Sequence, residues 1–112
     1  MTKKISIIIP FYNEKENIIN ILKEIEELIK KENKYLFEII LMDNNSNDGS
    51  SSLAQDYETN NSKIKYFKMS RNFGYQSNIK AGYDLCTGDA AVQLDADGED
   101  DPKLISKFIE LW

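Results

Sequence analysis

The stretch Lys4-Ile5-Ser6-Ile7-Ile8-Ile9, directly before Pro10, indicates the fold class. It has the length of one β-strand and consists mainly of β-branched apolar residues, which favour extended backbone. It lacks the strict alternation of apolar and polar residues that a strand with one solvent face shows. Such a run is typical of a parallel sheet that helices cover on both faces. Because proline has no backbone N–H to donate, we expect this strand to end at Ile9.

Beyond this stretch, apolar strands alternate with helices whose apolar positions recur at helical spacing. The first helix is predicted to follow a capping box of Asn13 and Glu16, and the third to end at the Thr87-Gly88 pair. We expect strands over 4–9, 37–42, 63–69 and 90–94, and helices through Ile29, over 50–57, over 76–86 and from Pro102 onward. This order predicts an α/β protein with a Rossmann-like parallel sheet, helices on both faces and strand order 3-2-1-4.

The composition excludes several classes of protein. The chain of 112 residues has 14 Lys and Arg against 19 Asp and Glu, a net charge of −5, no histidine and one cysteine, Cys86. Zinc sites built from His and Cys, a Ser-His-Asp triad and an internal disulfide are therefore excluded. The acidic total argues against nucleic-acid binding. No apolar run is long enough for a membrane span or a secretory signal, so we expect a cytoplasmic location.

Polar clusters follow each predicted strand, at the edge where parallel α/β sheets bind ligands. The most acidic cluster contains Asp95 and Asp97, which alternate along extended backbone and are therefore expected on one side of the chain. Paired carboxylates suit Mg²⁺ or Mn²⁺, with phosphate and water oxygens completing the coordination. The alternative is a solvated acidic loop that favours the positive end of the last helix, which suits Asp100 and Asp101 better.

Three other residues in these clusters are candidate ligand contacts, each with a structural alternative. Asp43 could accept hydrogen bonds from a ribose or a base, or it could cap the following helix. Tyr12 could stack on a base, or it could pack against the sheet. Arg71 could bind phosphate oxygens, or it could be an ordinary surface arginine. The individual residues leave these alternatives open.

Taken together, the clusters resemble the family 2 glycosyltransferases. The matching motifs occur in order along nearly the whole chain: Pro10-Phe11-Tyr12-Asn13-Glu14, Asp43-Asn44-Asn45-Ser46-Asn47-Asp48-Gly49-Ser50, Ser70-Arg71-Asn72-Phe73-Gly74, Gly82, Thr87-Gly88-Asp89 and Leu94-Asp95-Ala96-Asp97. The likeness is strongest to the branch that transfers a sugar from a nucleotide diphosphate sugar to polyisoprenyl phosphate. The resemblance implies a GT-A fold, of which this chain is the N-terminal, nucleotide-holding half.

The resemblance also implies roles for individual residues. It places Pro10, Tyr12 and Glu14 at the base and ribose, Asp43 and Asn44 at the base, Arg71 at the phosphates, and Asp95 and Ala96 along the nucleotide. It implies that Asp97, with Asp95 beside it, holds Mg²⁺ or Mn²⁺ on the diphosphate of a UDP- or GDP-sugar. This sequence departs from the family pattern at Asn44-Asn45, where members often carry Asp-Gly. Because an amide both donates and accepts hydrogen bonds, this departure leaves the base open.

The length of the chain is a further departure from the family pattern. Family members continue with an acceptor half that carries the catalytic base, so we interpret residues 1–112 as an incomplete, nucleotide-sugar-binding part of the domain and assign no catalytic residue. The full-length enzyme is expected at the inner face of the membrane, and the exposed apolar edge of the last strand is expected to favour a homodimer. The alternative is a non-catalytic nucleotide-binding or assembly fragment.

Other nucleotide-binding and signalling classes fit the motifs less well. A nicotinamide dehydrogenase would carry Gly-x-Gly-x-x-Gly after the first strand, where Pro10-Phe11-Tyr12-Asn13-Glu14 stands instead. A P-loop nucleotidase would need Gly-x-x-x-x-Gly-Lys-Ser/Thr, which is missing from the sequence. A phospho-acceptor receiver domain would place its acidic pair after the first strand, where only Glu14 stands.

Overall fold

The computed structural model describes residues 2–32, 34–97 and 101–112. Four strands alternate with four helices along the chain. Their bounds are β1 Lys4–Phe11, α1 Ile18–Lys31, β2 Leu36–Asp43, α2 Ser50–Thr59, β3 Ile64–Lys68, α3 Tyr75–Leu85, β4 Ala90–Gln93 and α4 Leu104–Leu111. The expected α/β alternation is therefore confirmed. No helix in the described part of the chain has the length and hydropathy that a membrane crossing requires.

The four strands form one parallel sheet in the order β3-β2-β1-β4. This is the order predicted from the sequence, and it places the two most apolar strands, β1 and β2, at the centre. All eight residues of β1 pair with β2, from Lys4 with Leu36 to Phe11 with Asp43. The carboxyl ends of the strands therefore meet at one edge of the sheet.

The prediction that Pro10 ends the first strand is wrong, because β1 continues through Pro10 and Phe11. Successive residues of a parallel strand bond to opposite neighbours. The carbonyl of Phe11 accepts from Asn44 beside β2, whereas the carbonyl of Ile8 accepts from Leu94 beside β4. A backbone N–H at position 10 would therefore point toward β4. The ladder between β1 and β4 ends before that position, at the pair Ile8 with Gln93. The strand loses no hydrogen bond to β2 by carrying a proline there.

Helices cover both faces of the sheet, as the unalternating strands predict. The larger core contains the odd-numbered isoleucines of β1, the apolar face of α1, and Ile105 and Ile109 of α4. The smaller core contains Ile8, Ile40 and Met42, and the partly buried Ala81 of α3 and Cys86 at its C-cap pack against it. Burial on two faces explains why β1 and β2 need apolar side chains at nearly every position.

Both predicted helix signals at Asn13 and Gly88 are wrong in detail. Helix α1 begins at Ile18, and Asn17 at its N-cap makes no side-chain cap bond. Asn13 instead adopts a left-handed φ of 53° and its side chain bonds Asn47, because the loop after β1 folds onto the loop after β2. Gly88 does not terminate α3, whose C-cap is the extended Cys86. A Cβ at Gly88 would lie 2.5 Å from Ser6 Oγ, so a close approach to β1 requires glycine there.

A buried carboxylate ties together the amino-terminal end of the sheet. Glu38 of β2 is 2% exposed. It accepts hydrogen bonds from Ser6 Oγ at 2.5 Å, Thr87 N at 2.5 Å and Lys65 Nζ at 3.0 Å, and Lys4 Nζ lies 3.5 Å away. Burial by itself raises the pKa of Glu38, but these hydrogen bonds outweigh it and lower the pKa to about 2. Glu38 therefore stays charged and links β1, β2, β3 and the loop before β4.

The sheet has an open edge at β4, which pairs only with β1 in the part of the chain that the structure describes. All four residues of β4 are half-buried. Because an unpaired edge offers its N–H and C=O groups to another chain, we expect self-association or poor solubility. Sedimentation velocity is expected to show a sedimentation coefficient that rises with concentration. A strict monomer at high concentration would contradict this prediction.

Candidate functional site

A cavity of about 340 Å³ opens at the carboxyl edge of the sheet. Its lining comes from the end of β1 and its loop, the loop after β2, the start of α3 and the segment after β4. The lining residues are Pro10, Phe11, Tyr12, Glu14, Asn44, Asn72, Tyr75, Asn78, Asp95, Ala96 and Asp97. Seven of the nine residues that the sequence singled out are therefore brought together, and two, Asp43 and Arg71, are not among the lining residues.

The loop after β1 forms one wall of the cavity and is held in place by hydrogen bonds. Asn13 N donates to Ser46 Oγ at 2.9 Å, which fixes this loop to the loop after β2. The backbone carbonyl of Glu14 accepts from Asn17 N and Ile18 N, and a carboxylate oxygen of Glu14 accepts from Asn17 Nδ2 at 2.9 Å. These bonds hold Glu14 at the start of α1 and leave the ring of Tyr12 exposed beside the cavity.

Asp43 lies at the end of β2, but its carboxylate is turned into the protein. It is fully buried and accepts hydrogen bonds from Ser46 N at 2.8 Å, Ser51 Oγ at 2.5 Å and Tyr66 Oη at 2.5 Å. Burial, and then the bond to Asp43, raise the pKa of Tyr66 to about 12, so the phenol stays a donor. Asp43 thus organises the loop before α2, and its contact with a base stays a prediction.

Two asparagines that line the cavity form an amide pair. Asn44 Nδ2 donates to Asn72 Oδ1 at 2.8 Å, and Asn44 Oδ1 accepts from Phe73 N at 3.1 Å. Asn72 Oδ1 also accepts from Gly74 N at 2.9 Å. The pair therefore joins the end of β2 to the segment that leads into α3.

Arg71 lies on the same segment but outside the lining of the cavity. It is exposed, and its guanidinium lies 4.6 Å from the centre of the Phe73 ring. This cation–π contact holds the side chain against an aromatic surface. A contact between Arg71 and phosphate stays a prediction.

The carboxylates of Asp95 and Asp97 line the same cavity, on either side of the buried Ala96. Asp95 Oδ1 accepts from Tyr75 Oη at 2.5 Å and from Gln93 Nε2 at 3.1 Å. Gln93 Nε2 also donates to Tyr75 Oη at 2.5 Å, so the three side chains form a closed hydrogen-bonded group. This group orients Asp95 from the start of α3 and the end of β4.

The carboxylate oxygens of Asp95 and Asp97 suit a hard divalent cation that takes its remaining ligands from a bound phosphate and water. In the described part of the chain, no group of three or more His, Cys, Asp or Glu side chains could hold a metal ion by itself. Mg²⁺ commonly binds through one or two carboxylates and takes the rest of its ligands from substrate phosphates and water. Two carboxylates beside a cavity open to a ligand meet that requirement.

The structure describes only part of the acidic segment that follows Asp97. Gly98, Glu99 and Asp100 lie outside the described residues. Asp101 Oδ1 accepts from Lys103 N at 3.0 Å, and the carbonyl of Asp101 accepts from Leu104 N. Asp101 therefore serves the start of α4, as the alternative interpretation of this segment predicts.

Sequence reasoning missed four lining residues, Phe11, Asn72, Tyr75 and Asn78. Three of them occur at intervals of three from Asn72 to Asn78, a spacing that brings side chains to one side of a helix and the turn before it. This periodicity, next to a predicted strand end, is the signal that could have identified them.

The sequence profile described as glycosyl transferase family 2 matches residues 6–112, and the chain belongs to this family. An uncharacterized glycosyltransferase of Synechocystis sp. is 35% identical over 112 residues, which is 100% of this chain and 35% of the relative. An undecaprenyl-phosphate 4-deoxy-4-formamido-L-arabinose transferase of Pseudomonas fluorescens is 36% identical over 107 residues, which is 95% of this chain and 31% of the relative. The chain thus spans about a third of the length of these curated relatives.

Solved glycosyltransferase structures share the fold. A mannosyltransferase from Pyrobaculum calidifontis, in complex with GDP-Man and Mn²⁺, superposes with a TM-score of 0.81 at 20% identity, over 98% of this chain and 32% of that chain. The S. aureus protein TarS, in complex with UDP-GlcNAc, superposes with a TM-score of 0.76 at 20% identity, over 96% of this chain and 30% of that chain. The expected α/β fold of the N-terminal part of GT-A glycosyltransferases is therefore confirmed.

Proposed function

We propose that this chain binds a nucleotide diphosphate sugar, a UDP- or GDP-sugar, as the donor half of a glycosyltransferase. The observation that carries this proposal is the convergence of Tyr12, Glu14, Asp95, Ala96 and Asp97 on one cavity at the carboxyl edge of the sheet. Doubly wound sheets bind ligands at this edge, where the strand order reverses. The two superposed structures, which are complexes with GDP-Man and UDP-GlcNAc, support a nucleotide sugar as the ligand.

In this proposal Asp97 and Asp95 hold Mg²⁺ or Mn²⁺ against the diphosphate. When bound, the cation neutralises the charge of the diphosphate and stabilises it as the leaving group. Tyr75 and Gln93 orient Asp95 through their hydrogen bonds. The Mn²⁺ in the complex of the Pyrobaculum enzyme supports a divalent metal.

We propose polyisoprenyl phosphate as the acceptor of the complete enzyme. The support is the name of relatives such as the undecaprenyl-phosphate sugar transferase of Pseudomonas fluorescens. The acceptor and its binding residues belong to the whole protein, of which this chain matches about a third.

Calorimetric titration of the chain with UDP and with GDP tests the donor site. Binding of at least one nucleotide is expected in Mn²⁺ or Mg²⁺ and is expected to be lost in EDTA, because two carboxylates would repel an uncompensated diphosphate. Equal affinity in EDTA would overturn the role of the metal. A lack of binding to either nucleotide in any of these buffers would overturn the donor site itself.

The second candidate function is a non-catalytic nucleotide-binding or assembly fragment. Within the described ranges, the carboxylates that line the cavity are those of Glu14, Asp95 and Asp97. The proposed donor site already uses all three, at the nucleotide and at the metal. Inverting transfer needs a further base on the face opposite the departing diphosphate. We therefore predict that the 112-residue chain binds donor but makes no lipid-linked product.

A radiolabelled donor assay with polyisoprenyl phosphate and Mn²⁺ checks this prediction, with a full-length relative as the positive control. Metal-dependent product from the 112-residue chain that disappears in the Asp97→Asn variant would show that the chain carries its own catalytic base.

The Tyr75→Phe substitution is expected to weaken metal-dependent nucleotide binding about fivefold, close to 1 kcal/mol. Its physical reason is the loss of the hydroxyl that bonds Asp95 and Gln93. Titrations at several Mn²⁺ concentrations should show that the variant needs more metal to reach the same nucleotide affinity. Tyr83→Phe, an exposed tyrosine of the same helix outside the cavity lining, is the matched control. Equal metal requirements in the two variants would refute the positioning role of Tyr75.

A further inference from the structure

Asn78 is a buried amide on α3 that borders the cavity and that no sequence motif assigned a role. The residue is 1% exposed. One turn further along the helix, Gly82 lets α3 lie very close to the sheet. A Cβ at Gly82 would come within 2.7 Å of Ile8 Cγ2 and 3.0 Å of Met42 Cγ. Because residues four apart share a helix face, this close approach also fixes Asn78 at the sheet edge.

The orientation of the Asn78 amide follows from its hydrogen bond. Asn78 Nδ2 donates to the carbonyl oxygen of Met42 at 2.9 Å. A carbonyl oxygen can only accept, so the nitrogen of the amide must face the sheet and the oxygen must face the other way. Asn78 Oδ1 is buried and has no hydrogen-bond partner within residues 2–32, 34–97 and 101–112. A buried acceptor without a donor is rare and calls for a bound water or a ligand.

The neighbouring Asn44 differs from Asn78 in this respect. Both polar atoms of the Asn44 amide are engaged, Nδ2 with Asn72 and Oδ1 with Phe73 N. Asn44, which the family resemblance places at the base, therefore already makes a bond within the protein at each of these atoms. Of the two amides, Asn78 has the acceptor that still lacks a donor.

We propose that Asn78 Oδ1 accepts a hydrogen bond from an N–H group of the nucleobase and thereby selects the donor nucleotide. This inference rests on the proposed binding of a nucleoside diphosphate in the cavity. Uracil carries N3–H, and guanine carries N1–H, at the centre of the edge that pairs in nucleic acids. Cytosine and adenine carry an acceptor at that point, which would face the Asn78 oxygen lone pair to lone pair. Sites built around one hydrogen bond discriminate strongly against analogues that cannot form it.

The experiment compares nucleotides and variants by calorimetry in Mn²⁺. UDP, GDP, CDP and ADP are titrated into the wild-type chain, followed by the N-methylated form of the tighter binder, N3-methyl-UDP or N1-methyl-GDP. We expect CDP, ADP and the methylated nucleotide to bind at least about tenfold more weakly than the preferred one. In Asn78→Ala, affinity for the preferred nucleotide should fall, and methylation should no longer matter because the acceptor is gone and room is made. Gln76→Ala, an exposed position of the same helix outside the cavity lining, should retain the discrimination.

The outcomes separate this inference from the proposed function. Metal-dependent binding without discrimination between the methylated and unmethylated nucleotides overturns the role of Asn78 and leaves the donor site standing. Discrimination that persists unchanged in a folded Asn78→Ala variant also overturns it. No binding of any nucleoside diphosphate overturns the donor site and this inference together. If Asn78→Ala does not fold, the wild-type chain with the methylated nucleotide still decides whether the N–H group is required.

Discussion

Asp97→Asn is expected to lower the affinity for UDP or GDP in Mn²⁺ by at least tenfold, which corresponds to about 1.4 kcal/mol. The substitution preserves the shape of the side chain but replaces a charged oxygen ligand by a neutral amide. A hard cation on a diphosphate prefers carboxylate oxygen, so the loss of charge weakens both the metal and the nucleotide that shares it. Calorimetry at a fixed Mn²⁺ concentration measures the change.

Asp101→Asn is the matched control for this experiment. Asp101 is an exposed aspartate four residues further along the chain, and its side chain accepts from Lys103 N at the start of α4. Its effect on nucleotide affinity is expected to stay below about twofold, because an amide oxygen can also accept this bond. If both variants weakened binding equally, a general effect of acidic charge would replace a specific metal ligand as the explanation.

Glu38→Gln is expected to destabilise the fold at neutral pH by about 3 kcal/mol. The substitution removes the charge that receives hydrogen bonds from Ser6, Thr87 and Lys65. It also turns an amide NH₂ group toward donors, which leaves buried polar groups unpaired. Urea unfolding of the two proteins at pH 7 measures the difference in free energy of unfolding.

The pH dependence of this difference gives a second check. The pKa of Glu38 is about 2 in the folded chain and 4.5 without the fold. A carboxyl whose pKa is lower in the folded state stabilises the fold above its unfolded pKa, and this contribution disappears as the pH falls from about 4.5 toward 2. The difference in free energy of unfolding between wild type and Glu38→Gln should therefore become smaller as the pH falls from 6 to 3. Glu24→Gln, at an exposed position of α1, should change little at either pH. A difference in free energy of unfolding that does not change with pH would contradict a charged Glu38 in the folded chain.

The order of elements and strands could be predicted from local patterns because the sheet is buried on both faces. The runs around Ile7 and Ile39 carry an unalternating apolar signal that only this architecture explains. The ends of elements were less predictable, because they depend on neighbours distant in sequence. Pro10 remains in β1 because the ladder between β1 and β4 ends at Ile8 and Gln93, so no bond to β4 requires its N–H. Asn13 does not cap α1, because its side chain bonds Asn47 in the loop after β2.

The position of Asp95 and Asp97 at one cavity was predictable because a single strand end supplies both residues, and their role at a metal stays a prediction. The hydrogen-bond partners of polar side chains near the site could not be predicted, because such side chains can bond either a ligand or the protein. Ser51 and Tyr66 donate to the Asp43 carboxylate and Phe73 N donates to the Asn44 oxygen, whereas the contact of Asp43 and Asn44 with a base stays a prediction. These contacts join residues more than seven positions apart, and composition or spacing carries no record of them.

A crystal structure of the chain grown with Mn²⁺ and the tighter-binding of UDP and GDP would show whether the carboxyl edge of the sheet holds the metal and the nucleotide. We predict an anomalous manganese peak at the Asp97 carboxylate. We also predict a diphosphate beside that peak, with the nucleoside in the cavity that Tyr12, Glu14 and Asn78 line. A nucleotide bound elsewhere, for example in the cavity lined by Glu26 and Asp56, or manganese away from Asp97, would contradict these predictions.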